Sequence, residues 1–115
     1  YPLAVCWNKL LKKEFLIKNK IEFLDYRIAE DVDFFYRLLA HNPKIVYNNN
    51  AVYYYFQRSS SLMTELKKNN EMPIVVLEVF ENIYKYYKEN RKELLIDLSY
   101  YNFLSLMHTF NNYKA

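Results

Sequence analysis

The chain contains no glycine in 115 residues, against an average usage of about 7%. Glycine is the default residue where a backbone takes a positive φ or comes close to a phosphate, so a complete nucleotide-binding domain built without it is not expected here. The sequence also begins Tyr1-Pro2 with no methionine. Both features lead us to expect a piece of a longer protein, in which a phosphate-binding part either lies elsewhere or does not exist. With 52% hydrophobic residues the chain has ample material for a buried core. A formal charge of +3 is too small and too diffuse to argue for nucleic acid.

Cys6 is the only cysteine, which rules out an internal disulfide or a thiolate metal cluster and suits a reduced, cytoplasmic setting. No apolar run approaches the roughly 20 residues that span a bilayer. The start of the chain has no signal-peptide layout.

Hydrophobic spacing predicts a first helix over residues 8–17, carried by Leu10, Leu11, Phe15 and Leu16. A second begins at Glu30, where Phe34, Phe35, Leu38 and Leu39 make one apolar stripe, and His41-Asn42-Pro43 ends it because proline cannot continue a helix. Two β-branched and aromatic runs, 44–47 and 51–57, flank Asn48-Asn49-Asn50 and predict short strands. After Pro73, a fitting first helical residue, apolar positions predict a helix to residue 90 and another over 91–111, joined by a short connection as an antiparallel pair. His41 falls at a helix end and His108 on the last helix, neither with a metal-ligand partner four residues on.

The densest chemistry lies in "RIAEDVDFFYRLL", residues 27–39. Anionic side chains in a first helical turn are favourable to the macrodipole by roughly 0.3–1 kcal/mol each and help cap free N–H groups, which explains Glu30, Asp31 and Asp33 without any catalysis. The other reading is that the same helix terminus holds one of them ionised as a general base. Asp33 faces another direction and reads as a cap or a solvated group. Trp7 reads equally as a core residue or as an aromatic wall for a sugar face.

"CWNKLLKKEFL", "RIAEDVDFFYRLL" and "KIVYNNNAVYYYFQRSSSLM", in that order and spacing, resemble the C-terminal half of the catalytic domain of bacterial family 2 glycosyltransferases of the GT-A fold. The resemblance covers residues 5–63. It implies an α+β, helix-rich architecture: the C-terminal portion of a GT-A-like α/β catalytic domain with a few short strands, followed by an antiparallel helical pair. Residues 1–63 then form the acceptor side of the catalytic domain and residues 64–115 a helical extension.

The implied activity is transfer of a sugar from a nucleotide-sugar donor to a hydroxyl of a carbohydrate or glycoconjugate acceptor with inversion, as in surface polysaccharide synthesis. Asp31 matches the family's base and Glu30 its companion. Trp7, Asn8, Lys9, Arg58 and Ser61 match acceptor- or donor-contacting positions. A divalent metal, Mg or Mn, is implied for the whole enzyme, with ligands mostly outside this chain, and the isolated chain is expected to be inactive. The C-terminal helices offer a surface to a second copy or to the inner face of a membrane. The competing expectation is a small helical protein-interaction module whose acids are caps.

Overall fold

The computed structural model describes residues 4–56 and 72–113, with side chains described in the second stretch over 74–107. Four α-helices order the described residues: α1 Lys13–Lys18, α2 Glu30–Ala40, α3 Met72–Asn90 and α4 Leu95–Tyr113, with a 3-10 turn Lys92–Leu94 between the last two. They form a small helical domain with no strand among the described residues.

That overturns the α+β, GT-A-like expectation. Residues 44–47 and 51–56 form neither helix nor strand and are open to solvent, with Val46 80% and Tyr54 90% exposed. Strand propensity expresses packing against a neighbouring strand, and neither run has one here. Between them the Asn48 side-chain oxygen accepts from the Asn50 N–H at 3.0 Å, a local turn that satisfies the backbone without setting up a hairpin. Gln57, and the 63/64 division between domain parts, lie outside the described residues.

α1 is shorter than the spacing predicts. Residues 6–9 form a turn, with Lys9 N–H donating to the Cys6 carbonyl at 3.3 Å, so the helix begins only at Lys13. It ends in a Schellman arrangement: Ile21 N–H reaches Leu16 O at 2.9 Å, Lys20 N–H reaches Ile17 O at 3.2 Å, and Lys20 sits at φ 52°. Ile21 then packs with Phe34 and Leu38 of α2, with Phe15, Leu16 and Cys6 against them.

α2 carries the centre of the molecule. Its C-terminal stop is as the sequence predicts: Asn42 turns left-handed at φ 52° and its N–H donates to Leu39 O at 3.0 Å, after which Pro43 has no N–H to offer. The face opposite Ile21 closes a core with α3 and α4, in which Val79 and Ile83 are fully buried beside Val76, Phe80 and Leu98. Polar groups seal the join. Tyr87 Oη donates to the Tyr36 carbonyl at 2.8 Å, Arg91 Nη1 donates to the Ala40 carbonyl at the end of α2, and His41 Nε2 lies 2.8 Å from Tyr86 Oη. Burial pushes the Tyr87 hydroxyl up to about 12, so it remains a donor throughout the physiological range.

α3 begins at Met72, one residue before Pro73. The chain breaks helical geometry at Arg91, φ −150°, and α4 packs back against α3. Among the described residues no helix is long and apolar enough to cross a membrane.

Candidate functional site at the N-terminus of α2

Ala29 delivers the chain into α2 from the left-handed region, φ 59° and ψ 18°, with no side-chain cap. The three carboxylates that follow have three different surroundings. Asp33 is 1% exposed and bound to Arg37, whose Nε donates to Oδ2 at 2.7 Å while Nη2 donates to the Glu22 carbonyl at 2.6 Å. The expectation of a solvated or capping Asp33 is therefore corrected. It is a buried anchor, and the Asp-to-Arg spacing of four that makes the pair is visible in the sequence.

Asp31 lies half-buried, one helical turn before Phe35 and on the same face. Burial pushes its carboxyl above the usual carboxylate range, and adjacent Glu30 pushes it further. The backbone N–H groups of Val32 and of Asp31 itself, together with the Lys9 ammonium, draw it partly back. A helix terminus that simply keeps Asp31 ionised is thus not the whole account, because desolvation outweighs the donors.

Opposite this face is the Cys6–Lys9 turn. Lys9 Nζ stands 4.7 Å from the centroid of the Phe35 ring, donates to the Val5 carbonyl at 2.5 Å, and contacts Asn8 Oδ1 at 2.7 Å. Burial lowers the Lys9 ammonium, and the nearby Cys6 and Asp31 offset that in part. Burial, then Asp31, raises the Cys6 thiol, which makes it a poor nucleophile.

Trp7, at the corner of the same turn, stacks on Tyr53 at 4.6 Å and on Tyr55 at 5.3 Å between ring centroids, with interplanar angles of 26° and 25°. It is still 43% exposed, so part of the indole remains open to a ligand. Tyr53 and Tyr55, two residues apart, both reach the same indole. The expectation of a strand over 51–57 does not by itself bring Tyr53 and Tyr55 onto Trp7.

Trp7, Asn8, Lys9, Glu30 and Asp31 thus belong to two adjoining segments, while Arg58 and Ser61 lie outside the described residues. As metal ligands the acids fit poorly: Asp33 of the Asp31-Val32-Asp33 sequence is committed to Arg37, and no group of three or more His, Cys, Asp or Glu among the described residues is placed to hold an ion. Comparison with known proteins returns no matching family model, no matching curated protein and no matching solved structure.

Proposed function

We propose that this chain carries the acceptor side of an inverting sugar transfer, with Asp31 as general base. The observation that carries the reading is the Cys6–Lys9 turn, which brings Lys9 within electrostatic reach of Asp31 and, next to it in the chain, holds Trp7 against Tyr53 and Tyr55.

In this mechanism the Asp31 carboxylate takes the proton of an acceptor hydroxyl as that oxygen forms its bond to the anomeric carbon of the donor sugar. The bond from that carbon to the nucleoside diphosphate breaks on the opposite side, and the diphosphate leaves with the electron pair. A carboxyl raised above its ordinary range is a stronger base once ionised. Lys9 favours that ionised form, and Glu30 favours the protonated form that follows proton transfer. The exposed part of Trp7 supplies a contact surface for a sugar ring. A divalent metal for the diphosphate has no ligand set among the described residues.

The test has two arms. In the protein that carries this segment together with a donor-binding half, Asp31→Asn is expected to abolish transfer and leave donor affinity unchanged, and wild-type turnover would remove Asp31 from the role of base. For the chain itself, calorimetric titration with nucleotide sugars is expected to show weak or no binding, and tight binding would overturn the division of labour. A helical interaction module without catalysis is the second reading, favoured by the apolar surface that α4 leaves uncovered.

A further inference from the structure

The formal charge of +3 has one source in the chain. Residues 9–22 hold Lys9, Lys12, Lys13, Lys18 and Lys20 against Glu14 and Glu22, a net +3, and the remaining residues balance at eleven charges of each sign. Lys9 turns inward over the Phe35 ring. The other four lysines are exposed, and none of them forms an ion pair among the described residues. The same stretch holds aliphatic side chains out in water: Leu10 is fully exposed and Ile17 is 65% exposed. Lys13, Ile17 and Lys20 line one open hollow of about 550 Å³, together with Leu16, Ile21 and Glu22. From this we propose that α1 and its flanking turns dock on the surface of an anionic lipid bilayer, the lysines meeting lipid phosphates while Leu10 and Ile17 enter the headgroup layer.

Charge and apolarity together select this occupant. An acidic protein or a nucleic-acid backbone would pair with the lysines and leave Leu10 and Ile17 in water. A bilayer interface takes up both, because a lysine lays its stem along apolar surface and keeps its ammonium hydrated at the level of the phosphates. Docking needs no unfolding, since the inner side of α1, Phe15 and Leu16, packs on Ile21, Phe34 and Leu38 and leaves the outer side available. The contact is peripheral: α1 has six residues, and no helix among the described residues is long and apolar enough to cross a membrane.

Glu14 and Glu22 oppose the attraction, so the four exposed lysines act as a net of two charges. Each charge beside an anionic leaflet is worth roughly fivefold in partitioning, which sets the preference for anionic over neutral lipid at about 30-fold. Association is therefore reversible and sensitive to salt. It makes no use of Asp31 or Trp7 and stands apart from the sugar-transfer reading.

Co-sedimentation of the whole chain with vesicles tests it, using phosphatidylcholine alone and phosphatidylcholine with about one-third phosphatidylserine. The chain is expected to pellet with the anionic vesicles about 30-fold more strongly than with the neutral ones, and to be released when salt rises from about 0.05 M to about 0.5 M. Lys12→Gln, Lys13→Gln and Lys18→Gln together are expected to weaken partitioning about 100-fold. Leu10→Gln with Ile17→Gln keeps every charge and is expected to weaken it by about tenfold or more with unchanged circular dichroism. Absence of pelleting with anionic vesicles would overturn the proposal, as would equal pelleting with neutral ones or undiminished binding of the triple lysine variant. A Leu10/Ile17 variant that binds like wild type, or soluble polyglutamate that binds the chain as tightly as vesicles do, would overturn it too, by showing a contact of charge alone.

Discussion

Arg37 donates through Nε to Asp33 Oδ2 at 2.7 Å, one turn apart on α2, and the pair is sealed so well that the carboxylate is 1% exposed. Removing one partner of such a pair strands the other, at a cost of about 3–5 kcal/mol. Arg37→Met is therefore expected to lower the urea midpoint by at least ~1 M, taking a slope of about 1–3 kcal/mol per M. Asp33→Leu combined with Arg37→Met strands no charge, and the freed Glu22 carbonyl belongs to an exposed residue that water can reach. The double variant is expected to recover most of the loss. A double variant no more stable than Arg37→Met would show that the pair is not the source of the cost.

Lys20 occupies the left-handed position that closes α1. A non-glycine residue there is disfavoured by roughly 1–2 kcal/mol, while glycine adds roughly 0.5–1 kcal/mol of entropy cost in folding. Lys20→Gly is expected to stabilise the chain by about 0.5–1 kcal/mol, a rise in Tm of roughly 2–6 °C. Lys20→Ala keeps the same steric conflict and is expected to give no gain. Equal shifts for the two variants in a thermal melt would place the effect in the lysine side chain instead of the backbone.

How much of this the sequence discloses depends on whether a feature is decided locally. Both ends of α2 were legible, because the acids at Glu30 and Asp31 and the Asn42-Pro43 stop act within one turn. The strands were not, since Ile45, Val46 and Tyr53–Phe56 have the right residues but no neighbouring strand among the described residues, and propensity cannot supply one. Resemblance picked out Trp7, Asn8, Lys9, Glu30 and Asp31, and the fold draws Lys9 and Asp31 within electrostatic reach of each other. The opposite fates of Asp31 and Asp33 follow from what surrounds α2 on each side, namely the Cys6–Lys9 turn for one and Arg37 with the Glu22 backbone for the other. Composition does not encode that difference.

Trp7 is the only tryptophan, so its fluorescence reports this site alone. Tyr53→Ala removes the closer of its two stacked rings, each pair being worth about 0.5–1.5 kcal/mol beyond area burial. The emission is expected to shift to the red as the indole gains water, with global stability lowered by about 1 kcal/mol. If the sugar-transfer reading holds, simple glycosides are expected to produce a saturable change in Trp7 emission that Asp31→Asn preserves and Tyr53→Ala weakens. No response to any glycoside at concentrations of about 100 mM would remove Trp7 from sugar binding.

The raised Asp31 carboxyl makes a prediction that needs no substrate. Burial and Glu30 disfavour its ionised form in the folded chain, so as pH rises the unfolded chain loses this proton first, near the ordinary carboxylate value of about 3.9. Through that interval the folded state binds more protons than the unfolded state, and stability attributable to Asp31 falls as pH rises until the folded carboxyl has also ionised. Asn in its place cannot ionise. Asp31→Asn is accordingly expected to be more stable than wild type at pH 7, with the difference shrinking toward zero below about pH 4 as the wild-type carboxyl becomes protonated in both states. Urea unfolding of both proteins at several pH values measures this directly. A variant less stable than wild type at pH 7, converging only in acid, would mean that the first-turn N–H groups and Lys9 outweigh burial, and that Asp31 is held as an ordinary helix-start anion.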